Sequence, residues 1–257
     1  MAVSIKSARE IGLMRESCRI LSEVHEALGK AIKPGISTWD IDALGEKLIR
    51  SYDCIPNFLH YNGYPASICV SVNDEVVHGI PSKNRILKDG DIVSLDAGLI
   101  YKGYHSDAAR TYPVGNIVPE AAKLIEVTRQ SFFEGIKYAR AGRHLFDISN
   151  AIDAYATSYG YGVVRDLVGH GIGTKLHEEP QIPNFKQWRR GIRLQAGMTL
   201  AIEPMINMGT CYVQWMDDDW TVVTGDGSLS AHYENTVLIT DGEPEILTLP
   251  RRGNTHE

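Results

Sequence analysis

Apolar residues recur at spacings of three and four through Ile11, Met14, Cys18, Leu21, Val24 and Leu28, which predicts a helix over Ser7 to Ile32 with one inward stripe. Lys33-Pro34-Gly35 ends it, since proline and glycine both resist a further helical turn. Ser37 or Thr38 can cap a second helix to about Tyr52, with Ile41, Leu44 and Leu48 inward. The pattern then shortens. Ser67 to Val77 reads as strand, turn and strand about Asn73-Asp74, and Asp91 to Tyr112 as two strands with a turn near Gly103. Helical spacing returns over Glu120 to Arg140, and again from Ala141 to a stop at Gly160. Later apolar runs are short and strand-like, as in Met198 to Ile206 and Asn235 to Thr240.

The later helices echo the earlier ones. A shift of 107 positions carries Gly35, Asp40, Ile41, Ser51 and Tyr52 onto Gly142, Asp147, Ile148, Ser158 and Tyr159, and sets Trp39 on Phe146. The same shift carries Leu87, Gly90 and Asp96 onto Leu194, Gly197 and Glu203. A looser match sets His105-Ser106-Asp107 against His232-Tyr233-Glu234. Two helix starts alike by chance would give some of these matches, but helices fall on helices and carboxylates on carboxylates. The pattern predicts one α+β domain over residues 1–250, with halves of about 1–115 and 116–250 facing each other across a pseudo-twofold and sharing one sheet and one core. The break falls near Pro113 to Pro119, and residues 251–257 read as a loose polar tail.

With 257 residues, 43% of them apolar, the chain can bury a large core. Its net charge of −6 with dispersed Lys and Arg gives no footprint for nucleic acid or for a basic membrane face. Cys18, Cys54, Cys69 and Cys211 lack CxxC spacing and read as reduced thiols. No apolar signal core follows the first ten residues, and no window reaches membrane-spanning length. A cytoplasmic protein is expected.

Two carboxylates in the Asp91 to Tyr112 stretch carry the first chemical signal. If Asp96 faces Asp107, the mirror point of the hairpin falls between Tyr101 and Lys102, and the two side chains share a face with Cβ atoms roughly 5 Å apart. Like charges so close need a counter-ion, and a divalent cation is the natural one. The plainer reading is that Asp96 starts a turn before Ala-Gly. Glu203 interrupts the apolar run MTLAIEPMI, and Glu234 opens NTVLIT. One such acid is ordinarily a partnered core residue. Four at symmetric places, without an excess of Arg or Lys nearby, favour bound metal.

Histidine adds an imidazole. His170 sits in Gly169-His170-Gly171-Ile172-Gly173, read as a glycine-rich loop that can bend toward a metal. His78 before Gly79-Ile80-Pro81 echoes it, and His177 follows in TKLHEEP. A lone loop histidine is more often solvated than ligating. An oxygen-rich site with one imidazole suits a pair of Mn, Fe, Co or Zn ions, which lowers the pKa of a shared water toward roughly 7. Metal-assisted hydrolysis is the reaction class these residues suggest.

Asp96, Asp107, His170, Glu203 and Glu234, within GYPASICVSVNDEVVHGIP, SLDAGLIYKGYHSDAARTYPVG, GHGIGTKLHEEP, AIEPMI and SAHYENTVLIT, closely resemble the methionine aminopeptidases of the pita-bread fold. The resemblance runs from about Ser7 to Leu247. It looks like the type I subfamily in its short bacterial form, for want of a large insertion between His177 and Glu203 and of an N-terminal zinc-binding extension. It implies Asp96, Asp107 and Glu234 as carboxylate ligands of two divalent metals, with Asp107 and Glu234 bridging. His170 is implied as the imidazole ligand. Glu203 would bind metal and shuttle a proton from the bridging water to the leaving amine. His177 would hydrogen-bond the scissile carbonyl oxygen, and His78 the peptide backbone near the scissile nitrogen.

For the methionine slot the resemblance points to Tyr61, Tyr64, Cys69 and Trp220, helped by Leu176; aromatics and a thiol suit a thioether. Phe58 stands where some relatives carry a smaller residue, and Leu176 where an aromatic is common. Asn73 and Ser230, with the Glu75 backbone, resemble a monovalent-cation site, though ordinary turn residues fit as well. The implied substrate is the N-terminal peptide of nascent proteins with a small second residue, met at the ribosome by a monomer. An X-Pro aminopeptidase or prolidase, or a non-catalytic binding protein, on the same fold are the alternatives.

Overall fold

The computed structural model describes residues 3–249, so the expected tail at 251–257 lies outside the described residues. Helix α1, Ala8–Ala31, starts on a reciprocal cap: Ser7 Oγ accepts from the Glu10 amide while the Glu10 carboxylate accepts from the Ser7 amide. Helix α2, Thr38–Ser51, repeats the device with Ser37 and Asp40. Helix α3, Pro119–Ile136, begins on a proline that has no amide to leave unpaired. It stops short of the expected Arg140, because Tyr138 and Ala139 tighten to three-residue bonds and the Ala141 amide donates to Thr240 across the fold. Helix α4 spans Leu145–Ser158.

The shift of 107 holds for backbone hydrogen bonds as well as letters. Gly35 donates to Leu87 O and Gly142 to Leu194 O; Leu87 donates to Ile36 O and Leu194 to Arg143 O. The bridges Ser37 to Ile86 and His144 to Arg193 correspond in the same way. Gly35 and Gly142 have φ of 91° and 86°, a left-handed conformation that favours glycine after each helix.

Among the described residues strand pairing is antiparallel and divides into four sheets rather than one continuous sheet. The α1 and α2 faces pack on the strands of the first half through Leu21, Leu28, Ile41 and Leu95. The α3 and α4 faces pack on the second half through Phe132, Ile148, Ile152 and Leu200. Met14, Cys69, Leu176, Ala201 and Leu238 join the two in a shared cluster. The halves also join through backbone: Ala109 and Glu234 exchange amide-to-carbonyl bonds of 3.4 and 2.9 Å. Among the described residues no helix is long and apolar enough to cross a membrane.

The central hairpin corrects the expected register. Strand Ile92–Tyr101 pairs with Tyr104–Pro113 so that Tyr101 faces Tyr104, Gly98 faces Asp107 and Asp96 faces Ala109. The mirror point lies between Lys102 and Gly103, whose φ values of 48° and 82° form a two-residue turn with both central residues left-handed. That turn matches strand twist, and it moves the partner of Asp96 by two residues, from Asp107 to Ala109. Asp96 and Asp107 therefore share a face as diagonal neighbours rather than as a facing pair.

Candidate metal centre

Five side chains from five backbone segments meet in a cavity of about 380 Å³. Asp96 and Asp107 come from the two hairpin strands. Glu203 follows the buried strand Thr199–Ile202, at the break made by Pro204. Glu234 lies between Ser230–His232 and Asn235–Leu238. His170 sits not on a loop, as expected, but on the short strand Gly169–Gly171, paired with Ala201 and Gln181. Its flanking glycines serve close approach: a Cβ at Gly169 would overlap the Ala201 carbonyl, and one at Gly171 the Glu179 carbonyl.

The donor atoms of Asp107, His170 and Glu234 lie within 4.8 Å of one another. His170 Nε2 is 3.7 Å from Glu203 Oε1 and 4.0 Å from Asp107 Oδ2. The Asp96 carboxylate interacts directly with that of Asp107. His170 Nδ1 lies 2.9 Å from the Gly171 carbonyl oxygen. That oxygen can only accept, so Nδ1 carries the hydrogen and Nε2 keeps a lone pair for a cation.

Burial dominates the electrostatics. It raises Asp96 to about 7 and Glu203 to about 8; the Glu203 charge pushes the same way on Asp96, while His232 and the contact with Asp107 oppose it. Asp107 and Glu234 rise well above the ordinary carboxylate range for the same reason. Burial lowers His170 to about 3, so the ring is neutral and able to ligate. No Lys or Arg lines the cavity among the described residues. Arg110 approaches Glu234 through the backbone carbonyl, not the carboxylate.

Asp96 Oδ1, Asp107 Oδ1 and Glu234 Oε1 are buried without a hydrogen-bond partner. Orphaned carboxylate oxygens converging on one space, beside an imidazole lone pair, are what hard divalent cations require. The residues fit a metal site.

Along the cavity, Tyr61 OH is 2.7 Å from His177 Nδ1, and the His170 and His177 rings meet edge-on at 4.3 Å. Tyr64 donates to Gly79 O and packs edge-on against Trp220 at 5.1 Å. His78, held at a φ of 59°, lies 6.2 Å from Trp220. Phe58, Cys69 and Leu176 are buried in the same cluster, and burial raises the Cys69 thiol far above its usual value. Asn73 and Ser230 adjoin through a backbone bond of 2.9 Å, but the Asn73 side chain serves Asp91 and the Ile92 amide, and Ser230 Oγ serves Asn207.

Several residues here were not singled out from sequence. Thr236 Oγ1 accepts from the Asp107 amide and donates to its carbonyl, fixing that segment from the other half. Asn184 donates to the Glu203 carbonyl. His232, aligned loosely with His105 but given no role, lies 3.5 Å from Glu203 Oε2. Met205 and the exposed Asp166 also line the cavity. No local pattern announces them; Thr236, Asn184 and His232 each act across more than fifteen positions of sequence.

Metallopeptidase family M24 matches residues 12–241. A methionine aminopeptidase of Clostridium acetobutylicum is 56% identical over 96% of this chain and 99% of its own length. Methionine aminopeptidase 1 of Bacillus subtilis is 52% identical over 95% and 98%. The crystal structure of a methionine aminopeptidase from Thermotoga maritima superposes with a TM-score of 0.95 at 43% identity, covering 97% of this chain and all of that one. A Pyrococcus furiosus prolidase shares the fold alone, at a TM-score of 0.75 and 24% identity, with 96% of this chain covering 66% of that one.

Proposed function

The chain belongs to metallopeptidase family M24, with its pita-bread fold, and from that premise we propose that it is a methionine aminopeptidase that removes methionine from the N-terminus of polypeptides. The observation that carries the reading is the convergence of four acids and a neutral imidazole in a cavity with an aromatic and thiol wall.

Asp96, Asp107, His170, Glu203 and Glu234 would hold two divalent ions, drawn from Co, Mn, Fe or Zn. Bound there, the ions supply Lewis-acid charge and a water acidic enough to ionise near neutral pH. Glu203, raised toward neutrality by burial, can accept a proton at a carboxylate oxygen and release it to a leaving amine. Burial keeps His177 neutral. In the tautomer in which Tyr61 donates to Nδ1, Nε2 carries the hydrogen and can donate to a carbonyl oxygen as negative charge develops.

Tyr61, Tyr64, Cys69 and Trp220, with Leu176 and Phe58, form a slot suited to a thioether and hostile to an unpaired charge. His78 borders Trp220 and is suited to contacting the peptide backbone near the scissile nitrogen. A free α-amino group would bind one of the ions, which would confine cleavage to a chain terminus. Nascent proteins with a small second residue are the substrates in this reading, handled by a monomer in the cytoplasm at the ribosome. A monovalent cation at Asn73 and Ser230 rests on the resemblance alone, since both side chains are already hydrogen-bonded.

The test is turnover by metal-loaded protein of Met-Ala-Ser against Ala-Pro-Ser. Release of methionine from the first alone supports the assignment; cleavage of the second alone overturns it in favour of an X-Pro peptidase.

A further inference from the structure

Glu203 stands between two imidazoles: Oε1 lies 3.7 Å from His170 Nε2, and Oε2 lies 3.5 Å from His232 Nε2. The two rings have different tautomeric settings. The Gly171 carbonyl fixes the His170 hydrogen on Nδ1 and leaves a lone pair on Nε2. Nothing fixes His232 in that way. Its ring is 1% exposed, and neither nitrogen has a hydrogen-bond partner among the described residues. Buried ring nitrogens without partners are unfavourable, and Glu203 Oε2 is the carboxylate oxygen that faces Nε2.

The backbone under the ring is held firmly. The His232 amide donates to Thr111 Oγ1 at 2.9 Å, and that hydroxyl donates back to the His232 carbonyl at 3.0 Å. His232 also lines a second cavity of about 210 Å³ with Arg110, Thr111, Tyr112, Arg129 and Tyr233. None of these is an acid that could compete with Glu203 for an N–H. Asp96 also acts on the ring through its charge, but the carboxylate oxygen within 4 Å of Nε2 is Glu203 Oε2.

We propose that His232 is a positioning residue for Glu203: with its hydrogen on Nε2 it donates to Oε2 and keeps Oε1 turned toward His170 and the acid cluster. The inference rests on the reading of Glu203 as metal ligand and proton carrier. His170 and His232 then have opposite duties toward the same carboxylate, one offering a lone pair to a cation beside it and the other a hydrogen to its far oxygen. Partners that orient a ligand in this way are typically worth 10–100-fold in metal affinity or activity.

The test compares the wild-type protein with His232→Gln, which keeps an N–H donor of similar reach, and His232→Leu, which fills the space without one. His232→Met is the second donor-free variant should the leucine variant not fold. Cobalt(II) affinity and the visible spectrum of the cobalt-loaded protein are read beside kcat and KM on Met-Ala-Ser. The donor-free variant should lose about 10–100-fold in cobalt affinity and in kcat, with KM little changed and an altered spectrum, and His232→Gln should recover most of both. A donor-free variant that binds cobalt and turns over like the wild type overturns the proposal. So does His232→Gln as impaired as the donor-free variant, which would make the ring a packing element. If the cobalt losses follow this pattern while no form releases methionine, the positioning role stands and the proposed substrate falls.

Discussion

Gly98 lies directly across the central hairpin from Asp107, and a Cβ at Gly98 would overlap Asn57 Nδ2 and come within 2.9 Å of Asp107 Oδ1. The missing side chain is what leaves room for the acid beside its diagonal neighbour Asp96. Gly98→Ala should therefore cost about 1–3 kcal/mol of stability through overpacking and should displace the Asp107 carboxylate from its cluster. Thermal unfolding together with metal titration checks this; an alanine variant with wild-type stability and metal content would contradict the geometry.

Asp107→Asn keeps the volume and removes the charge. Because Asp107 Oδ1 is buried without a partner and lies in the tightest group of donors, metal affinity and methionine release should fall together, each by on the order of 10²-fold or more, beyond what an indirect partner costs. Calorimetry and metal analysis measure the first, and peptide turnover the second. Loss of one without the other would separate Asp107 from the metal centre.

His177→Ala should lower kcat by roughly 10²–10³-fold while leaving metal content intact, because the ring faces the cavity as a donor beside His170 without belonging to the acid cluster. An unchanged kcat would remove His177 from the chemistry.

Trp220→Ala should act mainly on KM, on the order of 10-fold, since the indole packs against Tyr64 at the slot and not against the acids. Steady-state kinetics on methionine peptides decide it; an unaltered KM would put the indole outside the substrate's reach.

Stability of the metal-free protein should fall as pH rises from about 7 to 9. The sign follows from the acids: burial raises the folded pKa of Asp96 to about 7 and of Glu203 to about 8, above their unfolded values. Buried histidines, held neutral in the folded state, act the other way at lower pH, but above about pH 7 they are largely neutral in both states, so the folded state binds more protons and each step up in pH favours unfolding. Metal binding needs the deprotonated acids, so added cobalt or manganese should stabilise most at the alkaline end. Melting temperatures of chelated and metal-loaded protein across the window test this; a chelated protein that gains stability from pH 7 to 9 would refute it.

Sequence by itself determined what depends on neighbours a few residues apart. The Ser7–Glu10 and Ser37–Asp40 caps, the stop at Gly35 and the apolar stripe of α1 are set by bonds and periodicities within one or two turns of chain. The duplicated half was legible because the same local devices recur at a fixed shift. The five acidic and imidazole residues were legible as acids misplaced in apolar runs and through resemblance.

Tertiary structure alone decided the rest. The hairpin register turned on left-handed Lys102 and Gly103, and that set Asp96 diagonal to Asp107 instead of opposite it. His170 became a strand residue because Ala201 and Gln181, each at least ten positions away, supply its pairing. Thr236 on Asp107 and His232 on Glu203 join segments whose separation in the chain leaves no periodic trace. The reason is physical: a cap or a stripe is selected by local hydrogen bonds, whereas a contact between distant segments exists only once both have been packed against the same core.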